Sequence, residues 1–151
     1  MATYQHILLA LDLTEESTDT LLEKALEISK SNQCRLSILH VVKPVGYTYD
    51  RGLTMGLLDD NMKALQDAAK SQAKNKLAEI AKVNAIPEDR MHCILGKAAN
   101  EIIKLSKELN ADLVIVGSHS NPHPLQYVGA TVRSITDKLD CDTLIVRRES
   151  A

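Results

Sequence analysis

H-I-L-L-A-L-D, residues 6–12, is a near-continuous apolar run of strand length. Strands buried on both faces of a parallel sheet read this way, because neither side meets water. Beyond it Thr14 is placed to cap a helix, with Glu15, Glu16 and Asp19 putting negative charge at its positive end. Leu21, Leu22, Ala25, Ile28 and Ser29 then recur at helical spacing. Cys34 to Val42 is a second strand, and Met62, Leu65, Ala69, Ala73, Leu77, Ile80 and Ala81 mark one stripe of a long helix. Arg90 to Leu95 reads as a third strand. After Gly96 comes a helix with Ala98, Ile102, Leu105 and Leu109 on one face, and Asp112 to Gly117 is a fourth strand. A helix to about Leu139 and a fifth strand, Cys141 to Val146, complete the chain.

This strict alternation predicts an α/β protein: a single-domain, doubly wound, five-stranded parallel sheet over 1–151, with helices on both faces. With the order 3-2-1-4-5, the chain reverses direction between strands 1 and 4. Ligands of such sheets bind beyond the carboxyl ends of the strands at that point. Asp12 and Gly117 stand at those two strand ends.

Composition narrows the function. The 151 residues are 44% hydrophobic and 25% charged, an ordinary globular balance. A net charge of −2 gives no basic footprint for nucleic acid or an anionic membrane. No apolar run approaches the roughly 20 residues of a membrane span. The amino terminus enters the first strand without a signal peptide, which points to the cytoplasm. Cys34, Cys93 and Cys141 are widely separated, form no CxxC, and read as buried reduced thiols. The connection from Lys43 to Leu58, with Pro44, three glycines, Tyr47 and Tyr49, is long enough to suggest a lid or part of an interface.

Val114 to Ile135 is the stretch that bears on ligands. Gly117, Gly129 and the Thr131 hydroxyl are suitable parts for a phosphate site at a helix N-terminus. Against them, Pro122 and Pro124 each remove an N–H donor, and Ser120 is poorly suited to a left-handed conformation. A rigid strand-to-helix connection is the competing reading. Asp12 could hold Mg²⁺ on a phosphate or hydrogen-bond a ribose; equally, it could simply begin the helix-entry turn. Gly96-Lys97 opens a helix but lacks the rest of a phosphate loop, since Ala98 stands where the Mg²⁺-binding hydroxyl belongs. No dinucleotide fingerprint or nucleophile elbow occurs. His119 and His123 read as solvated loop imidazoles, and His6, His40 and His92 as polar residues near strand ends. His119 and His123 stand four apart, but Pro122 and Pro124 speak against a helical pairing, and no cysteine or acidic pair adds metal-ligand spacing.

In order along the chain, H-I-L-L-A-L-D (6–12), L-S-I-L-H-V-V (36–42), G-K-A-A-N-E-I-I (96–103), A-D-L-V-I-V-G-S-H (111–119) and C-D-T-L-I-V-R (141–147) resemble the universal stress protein family. The resemblance covers essentially the whole chain and implies the same five-stranded fold. One branch of that family binds ATP through G-x₂-G-x₉-G-[ST] after the fourth strand. Here Gly117 matches the first glycine and Ser120 replaces the second. Depending on the anchor, either Ala130 and Thr131, or Gly129 and Ala130, fall on the last two positions. Two positions fail either way, so the A-type branch, without ATP, is the better match. That branch implies no catalytic residue, no cofactor and no metal. It implies a cytoplasmic homodimer joined through the last strand, Thr143 to Arg147, acting on protein partners under stress. The alternative it leaves open is ATP or AMP with Mg²⁺, held by Asp12, Gly117, Gly129, Ala130 and Thr131 with adenine near Val41.

Overall fold

The computed structural model describes residues 4–13, 15–44, 60–118 and 130–147. Five parallel strands form one sheet in the order β3-β2-β1-β4-β5. They are β1 (His6–Ala10), β2 (Arg35–Val42), β3 (Met91–Leu95), β4 (Leu113–Gly117) and β5 (Asp142–Val146). The helices are α1 (Glu15–Asn32), α2 (Asp60–Val83), α3 (Ala98–Glu108) and α4 (Ala130–Thr136). β1 pairs with β2 from His6↔Arg35 and with β4 from Ile7↔Leu113, so the direction reverses between β1 and β4 as the alternation requires.

The apolar run of β1 is explained by what covers it. Ile7 and Leu9 pack with Leu21, Leu22 and Ala25 of α1 and Leu77 and Ala81 of α2. Leu8 points the other way, into Ala99, Ile102 and Leu105 of α3 and Val132 and Ile135 of α4. Ile7, Leu8 and Leu9 are all fully buried. Each such side chain contributes about 1.5–3 kcal/mol by leaving water. Two layers of helices therefore enclose the sheet.

Several boundaries differ from the sequence reading. β1 ends at Ala10, two residues before Asp12, because Leu13 takes a left-handed φ of 63° and turns the chain away. A single 3-10 turn, Glu88–Arg90, leads into β3. α4 stops at Thr136, although the amides of Lys138 and Leu139 still donate to the Ile135 carbonyl. The stripe on α2 holds for Leu77 and Ala81, but Leu65 is exposed. The helix is 24 residues long, roughly 36 Å, against roughly 16 Å for a five-residue strand. Its amino-terminal half overhangs the sheet.

Candidate functional site

The carboxyl ends of β1, β2 and β4 gather three of the six candidate residues. Ala10 pairs with Leu39, and the Leu11 amide donates to the Leu39 carbonyl at 2.8 Å, so the register carries Asp12 to the level of Val41. Asp12 is exposed and Val41 half-buried. Leu9 pairs with Ile115, which places Gly117 at the same end of the neighbouring strand. A Cβ on Gly117 would lie 3.2 Å from the Leu21 Cδ1 of α1. Close helix packing therefore accounts for this glycine without any phosphate. Ala130 and Thr131 open α4, a helix of only seven residues. Gly129, Ser120, Pro122, Pro124, His119, His123, Tyr47, Tyr49 and the Thr14 cap lie outside the described residues, as does most of the Lys43–Leu58 connection.

The Gly96-Lys97 start of α3 is occupied by the protein itself. Lys97 caps it with no side-chain hydrogen bond, and a Cβ on Gly96 would meet the Glu101 Oε1 at 2.9 Å. The Glu101 carboxylate thus lies over the turn where an anion would sit, and its negative charge repels one.

Two features at the strand ends escaped the sequence reading. At the crevice, His40 Nδ1 lies 2.7 Å from the Leu11 carbonyl. At the opposite, amino end of the sheet, His6 Nε2 meets the Ser37 hydroxyl at 2.6 Å and His6 Nδ1 meets the Leu109 carbonyl at 3.2 Å. The carbonyl can only accept, so Nδ1 carries the proton and Ser37 donates to Nε2. The Asp112 carboxylate accepts from the Gln5 and His6 amides at 2.8 and 3.0 Å. Ser37, fully buried, was the available signal: a lone hydroxyl at an inward position of an apolar strand demands a partner. Burial pushes the His6 ring below the ordinary histidine range, and does the same to His92, whose buried Nε2 has no hydrogen-bond partner among the described residues.

The cysteines are unpaired and half-buried, and burial pushes all three thiols up, away from the thiolate that nucleophilic chemistry needs. Among the described residues no three His, Cys, Asp or Glu side chains come together as a metal site, and no helix is long and apolar enough to cross a membrane.

The outer edge of the sheet is the other exposed feature. The Ser118 amide donates to the Val146 carbonyl at 2.9 Å, so the even-numbered residues of β5 turn their backbone toward β4. Thr143 and Ile145 then present N–H and C=O outward. Ile145 is 37% exposed. Beside this edge runs an open groove of about 460 Å³, lined by Tyr4, Ile28, Leu113, Asp142, Thr143 and Leu144. The Tyr4 hydroxyl donates to Asp142 at 2.9 Å across it.

Together these features define a doubly wound α/β domain whose direction reverses between β1 and β4 and whose β5 edge has no backbone partner among the described residues. The chain belongs to the universal stress protein family: the model of that family matches residues 3–147. It is 32% identical to universal stress protein A homolog 2 of Coxiella burnetii, over 97% of each chain. Its fold is similar to that of the universal stress protein UspA from Lactobacillus plantarum, with a TM-score of 0.78 at 22% identity, covering 97% of this chain and 100% of that one. It is also similar to a universal stress protein solved in complex with cAMP, with a TM-score of 0.61 at 19% identity, covering 97% and 98%. The family and the A-type relatives assign a general role in the stress response.

Proposed function

We propose that this stress-response protein acts in the cytoplasm as a homodimer joined through β5, without catalysis, by presenting a paired surface to protein partners. The open edge of β5 carries this reading. An apolar strand that displays unpaired N–H and C=O groups is a template for another strand, and a second copy is the partner always at hand. Two-fold pairing of β5 with its copy would satisfy Thr143 and Ile145 and cover Ile145. Sedimentation at micromolar concentration tests it: a dimer supports the reading and a monomer removes it.

The exposed Asp12 beside Val41, at the switch point, favours a second reading. There the crevice binds an adenine nucleotide such as ATP or AMP with Mg²⁺, and the relative solved with cAMP lends it support. The residues fit only in part, because Gly117 is accounted for by Leu21 and Gly129 lies outside the described residues. Extraction of the purified protein for adenine nucleotide, with a melting curve in Mg²⁺-ATP, decides it. Ligand at 100 times Kd adds about 2.7 kcal/mol of stability. No bound nucleotide and no shift remove the second reading.

A further inference from the structure

We propose that His40 is the positioning residue of the crevice: by holding the Leu11 carbonyl it fixes the turn that presents Asp12 to a nucleotide ligand. For its ligand this rests on the second reading above; the positioning itself does not.

Regular pairing of β1 ends at Ala10, and the Leu11 amide makes the last ladder bond, to Leu39. The Leu11 carbonyl belongs to a residue only 4% exposed. A buried carbonyl without a partner is costly, and His40 Nδ1 supplies one at 2.7 Å. Because the carbonyl cannot donate, the proton stands on Nδ1, and the ring orientation is set from the β1 side.

Two residues further on, Leu13 has φ 63°. A leucine keeps a left-handed backbone only where its surroundings impose it. The Lys76 ammonium of α2 reaches the Leu13 carbonyl at 3.5 Å. Asp12 thus lies between two carbonyls, one held from β2 and one from α2. The shorter bond, from a half-buried ring on a central strand, is the stronger restraint. Displacing it frees the turn, and with it the direction of the Asp12 carboxylate.

Two variants separate the parts. His40→Leu removes the donor, while His40→Asn keeps an N–H near the position of Nδ1. Backbone chemical shifts of Leu13, which follow the sign of φ, read the turn in the absence of ligand. Titration with Mg²⁺-ATP, AMP or cAMP reads the crevice. His40→Leu is expected to shift the Leu13 resonances out of the left-handed range and to weaken nucleotide binding about tenfold. His40→Asn is expected to restore both. If the wild type binds none of the three nucleotides while His40→Leu still releases Leu13, the nucleotide reading falls and His40 keeps its hold on the turn. Unchanged Leu13 shifts in His40→Leu overturn the positioning role. So does a released turn with wild-type nucleotide affinity.

Discussion

β3 and β5 are both outer strands, five residues long and largely apolar, yet their outward sides differ. The Gly96 amide donates to Val42, so Met91, Cys93 and Leu95 face outward on β3. The Met91 amide bonds the Glu88 carbonyl of the preceding 3-10 turn, and α2 lies along the strand. β5 packs chiefly against β4, and its outward Thr143 and Ile145 have no backbone partner among the described residues. Only the amino end of the β3 edge is met by its own chain, whereas no outward residue of β5 is met among the described residues. Natural sheets blunt their edges to prevent unwanted pairing, and an edge that is not blunted is a template for another strand.

The largest expected effect comes from closing the open edge. Thr143→Pro removes an outward donor but no bond to β4, a position where an edge strand tolerates proline. It should weaken dimerisation by about 3 kcal/mol, or roughly a hundredfold, in sedimentation equilibrium. Far-ultraviolet circular dichroism should stay unchanged.

Ser37→Ala probes the closed interior. It leaves the buried His6 Nε2 without its donor, and should cost about 1–3 kcal/mol in urea denaturation without altering assembly. Acid reaches the same place. Burial holds His6 and His92 below the usual value of about 6.5, so the unfolded chain takes up protons that the folded chain does not. Stability should therefore fall as pH drops below about 6.5, and Ser37→Ala should alter that slope. Gly117→Ala presses on a Leu21 methyl that can give, at a cost of about 1 kcal/mol by thermal melting. The smallest effect belongs to the other edge. Leu95→Lys, at a side chain 39% exposed, should change stability by no more than about 0.5 kcal/mol and leave the dimer intact.

The fold was legible because β1 and β4 are apolar on both faces, and only a sheet covered twice needs that. Candidate site residues were less so. Asp12 and Gly117 fall at the switch point as expected, but nothing in the letters told that Gly117 makes room for Leu21. Leu13 has no sequence mark of a left-handed turn, since leucine rarely adopts one. His40 reads as a polar strand end until the Leu11 carbonyl is found beside it. Leu65 kept the helical period yet faces water, because period says which face a residue shares and not whether the sheet extends that far. Each miss depends on contacts between elements distant in the chain.

The most direct test sets the two edges against each other in one sedimentation velocity series of the wild type, Thr143→Pro and Leu95→Lys at micromolar concentration. The open-edge account predicts twice the chain mass for the wild type and Leu95→Lys, and a single chain for Thr143→Pro. A monomeric wild type, or a dimer that survives Thr143→Pro and dissociates with Leu95→Lys, would contradict it.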